Sequence, residues 1–575
     1  MAFTPPTQEQ RFVLDQVVRI GELAETPRFA AASDDVVDAV LDGVGQFAAG
    51  EWAPLNRIGD TVGAKWTPDG VVMPDGFGAA YRDYVEGGWG TIGVAEEFGG
   101  QGLPFAIQTA VLDTLGSANM GFALCPTLTV GAIEALAHHG SPEQQALYLP
   151  HLATGEWTGT MNLTEPQAGS DVGALRATAK PLGDGKWAIK GTKIYISFGD
   201  HDMAANIVHL VLARTPDAPP GTRGISLFLV PKYRLAEDGT PGDFNDVRVV
   251  SIEHKMGLHA SPTCVLSFGD HDDCIGELIG AEHAGMRAMF TMMNNARLNV
   301  GLQGVQVAEG ATQAAVAYAL DRVQSARAGS PDKASVAIVQ HPDVRRMLMR
   351  MKAQTQAARA LVYYAAGQVD RAGLGDAEAR GRLELVTPLA KAHGTDIGNE
   401  VASIGIQVHG GMGYVEETGA AQYFRDARIT PIYEGTNGIQ AADLVGRKLG
   451  LDNGGVFARL IADIRAEARD ARLRALVDAC EDVGRRLATA DADDRLAASY
   501  PFLTMLSVAT CGWLMERQGR AVVENGAGDD AFARMKAAAV RFYLEQIVPE
   551  AMGLLAAATA SAETLYAVEP EMFAA

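Results

Sequence analysis

The chain of 575 residues is 47% apolar and 21% charged, a composition typical of a folded protein of about three or four domains. Its formal net charge of −22 repels nucleic-acid phosphates and anionic membranes, which argues against whole-chain binding to either. Five cysteines without a C-x-x-C pair argue against a disulfide framework or a metal site. The sequence has neither a signal-peptide pattern nor an uninterrupted apolar run of about 18 residues, so we expect a soluble, cytoplasmic protein.

The first predicted segment, residues 1–156, is helical. From Phe77 onward, apolar residues repeat at the spacing of one helical face. Ser141, followed by proline and glutamate, is typical of a helix start, because serine caps a helix and proline is tolerated at its first position. The sequence therefore predicts a helix over residues 142–153.

The second predicted segment, residues 157–278, is rich in β-structure. Short Gly, Pro and Asp turns separate the stretches WAIKGTKIYIS, ANIVHLVLAR, GISLFLVPK, DVRVVSIE and TCVLSFGD. Since no long helical pattern lies between them, an antiparallel sheet or a small barrel is favoured over a chain of βαβ units.

Helical patterns return in the third segment, residues 279–450, and continue after the linker LGLDNGGVF in the fourth, residues 456–575. The fourth segment has 13 basic and 18 acidic residues, a net charge of −5, so no basic surface for membranes or DNA is indicated. These patterns predict a multi-domain α+β fold.

Four motifs are candidates for function, and each has an ordinary structural interpretation as well. GWGTIG (88–93) matches a dinucleotide-binding pattern but follows a helix rather than a strand, which favours a plain loop. TEPQAGSD (164–171) is a turn whose small residues let a ligand approach the backbone. Tyr195 and Ser197 alternate onto one side of a predicted strand, where they suit a flat heterocycle. QVHGGMG (407–413) places glycines among helices at about 1 kcal/mol each, which suits close contact with a phosphate, an adenosine or another helix.

Glu434 is the candidate catalytic residue. It is the only acid in the stretch PIYEGTNGIQ (431–440), where it follows a tyrosine and precedes loop-forming residues. Burial of an isolated carboxylate raises its pKa, which suits a general base, although a solvated glutamate has the same local pattern. The sequence has no H-E-x-x-H, G-x-S-x-G or P-loop motif that would supply a different chemistry.

Seven segments in the same order along the chain resemble the acyl-CoA dehydrogenases. They are NLTEPQAGSDVGAL (162–175), GTKIYIS (191–197), EHKMGLHASPTC (253–264), NNARLNVGLQG (294–304), YALDRVQ (318–324), QVHGGMGY (407–414) and IYEGTNGIQ (432–440). The resemblance covers about residues 35–450. It implies an N-terminal helical domain, a central β domain and a C-terminal helical bundle, followed here by an extra helical module.

The resemblance also implies a reaction, the FAD-dependent oxidation of an acyl-CoA thioester to a trans-2-enoyl-CoA. Glu434 stands at the position of the family's base, which takes the α-proton while flavin N5 takes the β-hydride. Some relatives carry the base just before the arginine of the NNARL segment, but here that position is Ala296, which cannot act. In the family, the backbone N–H of the base and a ribityl hydroxyl of FAD stabilise the enolate-like charge.

The same matching implies a set of cofactor residues. They are Met161, Asn162, Leu163, Thr164, Ser170, Tyr195, Ile196, Ser197, Arg322, Gln324, Gln407, Gly410, Gly411, Thr436 and Asn437. Residues 161–164 and 195–197 are expected to line the flavin ring. Arg322 and Gln324 are expected to hold the pyrophosphate, and the glycine motif to hold the ADP half across a subunit interface.

Substrate contacts are implied at Ser170, Asn294, Arg297 and Gly435. Three positions depart from the pattern of many relatives. Tyr195 replaces a tryptophan, Ser197 replaces a threonine, and Asn294 replaces an aspartate.

The stretch DAPPGTRGISLFLVPK and the helical extension resemble a long subgroup of the family. Some members of this subgroup act on 3-(methylthio)propanoyl-CoA in dimethylsulfoniopropionate catabolism, and many act on other acyl-CoAs. 3-(Methylthio)propanoyl-CoA is the first expectation for the substrate, and a general short-, medium- or long-chain acyl-CoA of β-oxidation is the alternative. An acyl-CoA oxidase and a non-catalytic DNA-binding relative are further alternatives. Electron-transfer flavoprotein is the implied electron acceptor. Because FAD sites in the family span two subunits, a homo-oligomer is implied, and the extension favours a dimer.

Overall fold

The computed structural model describes residues 3–524 and 530–575, without the side chains of residues 292–294. Within it the chain divides into two compact units. The bundle unit comprises residues 3–41 and 297–575, and the sheet unit comprises residues 42–296.

Helices make up most of the described chain. Their bounds are α1 (Thr7–Val13), α2 (Ile20–Ala24), α3 (Asp34–Phe47), α4 (Ala53–Val62), α5 (Phe77–Glu86), α6 (Phe105–His139), α7 (Pro142–Thr154), α8 (Gly285–Asp321), α9 (Pro342–Gly373), α10 (Ala377–His409), α11 (Ala420–Ala427), α12 (Asn437–Gly446), α13 (Gly455–Glu467), α14 (Ala471–Thr489), α15 (Ala492–Ala497), α16 (Ser499–Glu524), α17 (Ala531–Phe542), α18 (Val548–Met552) and α19 (Leu555–Ala558). The predicted helix over residues 142–153 is confirmed as α7. The Ser141 hydroxyl accepts a hydrogen bond from the Gln144 N–H, and the Gln144 side chain accepts one from the Ser141 N–H, which is a capping box.

The strands lie in the sheet unit. Their bounds are β1 (Lys65–Thr67), β2 (Gly70–Val72), β3 (Trp157–Asn162), β4 (Thr178–Gly183), β5 (Lys186–Ser197), β6 (Asn206–Arg214), β7 (Ile225–Pro231), β8 (Tyr233–Leu235), β9 (Pro241–Phe244), β10 (Val247–Ile252), β11 (Thr263–Phe268) and β12 (Ile275–Ile279). The five predicted stretches are confirmed as β5, β6, β7, β10 and β11.

One sheet has eight strands, seven of them in the order β10-β11-β5-β12-β7-β6-β3, while β4 pairs with β5 and β6. The expected antiparallel pairing holds for most of this sheet, but β3 runs parallel to β6, so the sheet is mixed. The hairpin β1–β2 corrects the expectation that residues 1–156 are helical throughout. Its Pro-Asp-Gly turn favours a chain reversal, and Lys65 pairs with Val72 across it. The GWGTIG motif forms a loop after α5, as predicted.

The core of the sheet unit forms on both faces of β6 because successive side chains alternate between them. Leu210 and Leu212 pack in the same cluster as Leu136 of α6. Val211 and Ala213 belong to a second cluster on the other face. Among the described residues, α6 alone is long and apolar enough to span a membrane, and 78% of its apolar window is buried inside the protein. A core helix of a soluble protein has this same composition.

In the bundle unit, α8 and α10 cross backbone to backbone. A Cβ at Gly304 would lie 1.9 Å from the carbonyl oxygen of Gly394, so the crossing requires glycine at this position. The helix α16 of the fourth segment packs against α9, α10 and α12. This close crossing brings the functional side chains of α8 and α10 near one another.

Candidate active site

The loop of residues 431–436, between α11 and α12, holds Glu434 in an unusual backbone conformation. Glu434 has φ +54° and Gly435 has φ +82°. A left-handed conformation at a non-glycine residue costs about 1 kcal/mol or more, and such strain persists only where the surrounding structure fixes it. The Thr436 hydroxyl caps α12 by accepting a bond from the Ile439 N–H at 3.1 Å. The Gln440 amide donates to the Gly435 carbonyl oxygen at 3.3 Å, so the end of the loop that follows Glu434 is tied to α12.

Two buried cations act on the Glu434 carboxylate. Arg297 is 9% exposed and Lys391 is fully buried. Arg297 precedes Gly304 by seven residues on α8, and Lys391 precedes Gly394 by three on α10, so each cation shares a helix face with a crossing glycine. The Arg297 Nη2 atom lies 3.9 Å from the position that a Cβ at Gly435 would take. The crossing therefore delivers both positive charges to the loop.

These surroundings set the charge balance of Glu434. Desolvation raises its pKa, whereas Arg297 and Lys391 lower it, and the net shift is upward. Desolvation also lowers the pKa of Lys391 to about 8. Within the described residues, neither the Glu434 carboxylate nor its N–H makes a hydrogen bond, and the Arg297 Nε has no hydrogen-bond partner. A carboxylate with these properties is available as a base, next to unused donors.

Asn437 attaches the loop to α10. Its amide donates to the Asp396 Oδ1 at 2.8 Å and to the Ala392 carbonyl oxygen at 3.1 Å. Its Oδ1 accepts from the Lys391 Nζ at 2.8 Å and from the Thr395 hydroxyl at 3.3 Å. Because this side chain is buried and bonded to α10, we assign it a structural role, and its contact with the cofactor stays a prediction.

In the sheet unit, a buried ion pair joins the two predicted flavin-lining segments. The Lys193 Nζ donates to the Glu165 Oε1 at 2.8 Å and to the Leu163 carbonyl oxygen at 3.0 Å. The Ile194 N–H donates to the Thr164 carbonyl oxygen at 3.0 Å. These bonds hold residues 161–165 against β5, so the structure brings residues 161–164 and 195–197 together as expected.

A β-bulge presents Tyr195. On β11, Leu266 pairs with Lys193 and Cys264 pairs with Ile196, so two residues of β5 face one residue of the partner strand. Tyr195 has φ +60° and is 61% exposed. The side chains therefore do not alternate regularly through this point, which corrects the expectation of a simple period of two.

The available groups of this unit fit a flat, hydrogen-bonding ligand. The Tyr195 ring lies open to solvent, and Ser197 and Thr164 are partly exposed. Within the described residues, the hydroxyls of Ser197 and Thr164 make no hydrogen bond. Asn162 is fully buried, and its Oδ1 has no partner among these residues. Such a set suits the edge and face of an isoalloxazine ring.

The remaining predicted residues occupy separate places. In the bundle unit, Arg322 donates to the Gln324 Oε1 at 2.9 Å, so the two predicted pyrophosphate residues are neighbours. Gln407, Gly410 and Gly411 are exposed at the end of α10, where Gly410 has φ +61°. Ser170 is exposed in the sheet unit, and the side chain of Asn294 lies outside the described residues.

Sequence reasoning missed Lys391, Asp396 and the Glu165–Lys193 pair. A signal existed for Lys391, since it is a lone cation in the apolar stretch LVTPLAKAHG. Glu165 lies within the turn motif, but nothing local indicates a partner 28 residues further along the chain.

Profiles of known families match four consecutive parts of the chain. The descriptions are "Acyl-CoA dehydrogenase, N-terminal domain" for residues 37–156, "middle domain" for 160–271, "C-terminal domain" for 283–450 and "Acetyl-CoA dehydrogenase C-terminal like" for 457–569. Each profile matches most of one of the four predicted segments, in the same order along the chain.

Individual relatives extend over nearly the whole chain. The 3-methylmercaptopropionyl-CoA dehydrogenase of Ruegeria pomeroyi is 44% identical, with 96% of this chain and 97% of that protein covered. A butyryl-CoA dehydrogenase of Syntrophomonas wolfei is 37% identical, with 91% of each chain covered. The solved structure of an acyl-CoA dehydrogenase complexed with FAD from Bacillus anthracis is 22% identical, with a TM-score of 0.74, covering 98% of this chain and 93% of that one. The last of these supports the fold.

Proposed function

Because the chain belongs to the acyl-CoA dehydrogenase family, we propose that it oxidises 3-(methylthio)propanoyl-CoA to 3-(methylthio)acryloyl-CoA, with Glu434 as the base. The protein is an FAD-dependent oxidoreductase of acyl-CoA thioesters. The full-length similarity to the Ruegeria enzyme, which is named for the same acyl group, supports the choice of substrate. The observation that carries the proposed chemistry is the Glu434 carboxylate, which makes no hydrogen bond to a described residue and interacts with the charges of two buried cations.

Glu434 removes the α-proton of the thioester in this proposal. The charges of Arg297 and Lys391 lower the pKa of this carboxylate, but desolvation raises it by more, which makes Glu434 a stronger base than a solvated glutamate. The α-proton of a thioester is only weakly acidic, so the carbonyl oxygen needs hydrogen-bond donors as negative charge develops. The Glu434 N–H, which bonds to no other described residue, is one such donor.

FAD, when bound, accepts the β-hydride. We assign the ring to residues 161–164 and 195–197, whose free hydroxyls and exposed aromatic face suit it. Arg322 and Gln324 are assigned to the pyrophosphate, since a guanidinium and an amide both donate to phosphate oxygens. Gln407, Gly410 and Gly411 are assigned to the ADP half, and Thr436 and Asn437 to the neighbourhood of the cofactor.

We assign the substrate contacts to Arg297 and Gly435 beside the base, and to Ser170 and Asn294. Electron-transfer flavoprotein is the proposed electron acceptor, and a homodimer in the cytoplasm is the proposed state. The proposed pathway is dimethylsulfoniopropionate catabolism. The proposed domain division stays at 1–156, 157–278, 279–450 and 456–575.

An anaerobic titration tests this function. The purified holoenzyme is mixed with 3-(methylthio)propanoyl-, butanoyl-, octanoyl- or palmitoyl-CoA, and loss of the visible flavin absorbance is followed. We expect bleaching by 3-(methylthio)propanoyl-CoA at the lowest concentration. Stronger bleaching by butanoyl-CoA would instead assign the activity named for the Syntrophomonas relative. Peroxide formed at the turnover rate in air would contradict the dehydrogenase assignment and indicate an oxidase.

A further inference from the structure

The Glu434 carboxylate has no hydrogen bond to another described residue, so its position depends strongly on the backbone of the loop that carries it. That backbone contains two consecutive left-handed residues, Glu434 and Gly435. Asn437 holds this backbone in place. Its N–H donates to the Pro431 carbonyl oxygen at 3.0 Å, and its side chain is hydrogen-bonded to residues of α10. The position of the base therefore depends on how firmly Asn437 is held.

Asp396 is the anionic partner of Asn437. One of its carboxylate oxygens accepts from the Asn437 amide at 2.8 Å. The other accepts from the Tyr500 hydroxyl at 2.7 Å. Burial raises the pKa of Asp396, whereas the hydrogen bonds from Tyr500 and Asn437 and the charge of Lys391 lower it. Because the Asn437 amide and the Tyr500 hydroxyl bond to the two oxygens of one carboxylate, the Tyr500 bond fixes the orientation in which Asp396 accepts from Asn437.

Tyr500 does not belong to the helical bundle of the third segment. It lies in the first turn of α16, within the C-terminal segment of residues 456–575. Its hydroxyl reaches Asp396 across 104 residues of sequence. The C-terminal segment is thus hydrogen-bonded, through Asp396 and Asn437, to the turn that carries the base.

We propose that Tyr500 is a positioning residue for the dehydrogenation, and that it holds the Glu434 turn in its left-handed conformation through Asp396 and Asn437. The proposal rests on the role of Glu434 given above. It assigns to the C-terminal segment a part in the reaction, in addition to covering α9, α10 and α12.

Asp463 offers a matched control. It also lies in the C-terminal segment, on α13, and its Oδ2 also accepts from α10, from the Arg382 Nη2 at 2.6 Å. This bond is as short as that of Tyr500, but neither Asp463 nor Arg382 contacts Asn437 or Asp396 through a bond between described residues. If contact between the C-terminal segment and α10 matters only in general, substitution of either Tyr500 or Asp463 should slow the reaction. If Tyr500 positions the Glu434 turn, only its own substitution should do so.

The test compares Tyr500→Phe and Asp463→Asn holoenzymes with the parent protein. In Tyr500→Phe we expect the maximal rate of flavin bleaching by acyl-CoA to fall about tenfold, since small displacements of a reacting group slow catalysis strongly. FAD content and the acyl-CoA concentration for half-maximal rate should be unchanged. In Asp463→Asn all three quantities should stay within about twofold of the parent, because Asp463 is half-exposed, the asparagine amide oxygen can still accept from Arg382, and neither residue is bonded to the Glu434 turn.

A second readout needs no substrate. Amide hydrogen exchange, measured by mass spectrometry on the peptide of residues 431–440, should be faster in Tyr500→Phe and unchanged in Asp463→Asn. Equal rates and equal exchange in parent and Tyr500→Phe would overturn the proposal. So would equal losses in both variants, or loss of FAD in Tyr500→Phe, since either would make Tyr500 a general stabilising residue. If no acyl-CoA bleaches the parent protein, the proposed function fails, and the exchange measurement still decides the positioning claim.

Discussion

Two loops proposed to serve catalysis are each fixed by a fully buried lysine, one in each unit, but the two lysines have different partners. In the sheet unit, Lys193 donates directly to the carboxylate of Glu165. In the bundle unit, Lys391 donates to the neutral Oδ1 of Asn437. Desolvation lowers the pKa of both lysines to about 8. At Lys193 the charge and hydrogen bond of Glu165 oppose this shift, whereas at Lys391 only the charges of Asp396 and Glu434 oppose it.

The two lysines differ in which groups their positive charges act on. The Glu165 carboxylate neutralises Lys193 and is itself held by the N–H groups of Arg176 and Ala177. Although burial raises the pKa of Glu165, Lys193 and these bonds bring it below its usual range. Among the described residues, Lys391 has no such direct counter-ion, and its charge interacts with those of Asp396 and Glu434. Lys193 therefore closes a structural clamp, whereas Lys391 leaves its charge available to the proposed base.

The largest effect is expected for Glu434→Gln, which removes the proposed base and leaves the loop sterically unchanged. The rate of flavin bleaching by acyl-CoA should fall about 1,000-fold, in line with the usual contribution of general base catalysis. The protein should retain its yellow FAD. Glu417→Gln is the matched control, because it makes the same change at an exposed carboxylate outside the loop, and it should leave the rate unchanged. A rate in Glu434→Gln comparable to that of the parent would refute the assignment of the base.

The next effect is on stability. Lys193→Met leaves the Glu165 carboxylate buried without its cation, and such changes cost about 3–5 kcal/mol. Lys391→Met removes a donor to a neutral amide, for which about 1–3 kcal/mol is expected. Denaturant unfolding of the two variants measures this difference. A Lys391→Met variant as unstable as Lys193→Met would show that the two lysines are equivalent clamps.

The order of elements was predictable because local patterns carry it. The capped start of α7 and the five main strands follow from adjacent residues, and so does the loop after α5. The parallel pairing of β3 with β6 was not predictable, since it depends on where the chain returns to the sheet edge. The β1–β2 hairpin was overlooked because its strands are only three residues long.

The candidate site, like the fold, was predictable only where local sequence patterns indicate it. Glu434 was recognisable as an isolated acid in a loop, and the upward direction of its pKa shift followed from burial. The cations acting on it were not both recognisable, because Lys391 is brought near by a helix crossing at Gly304 and Gly394 rather than by sequence spacing. Tyr500 lies 104 residues from Asp396, so no local pattern indicates their bond.

The smallest predicted effect is on the pH dependence of kcat/KM, and it distinguishes the two lysines by whether their charge acts on Glu434. The protonated Lys391 lowers the pKa of Glu434, so Lys391→Met should raise that pKa further above its ordinary value. A base acts only when deprotonated, so kcat/KM falls as the pH drops through its pKa. In Lys391→Met this fall should begin at a higher pH, so kcat/KM should lose several-fold more on the acidic side than on the alkaline side. The lost bond to Asn437 adds a loss that is the same at every pH. Lys193→Met, assayed where it remains folded, should leave the profile in place. Equal shifts in both variants, or none in Lys391→Met, would mean that the charge of Lys391 does not act on the base.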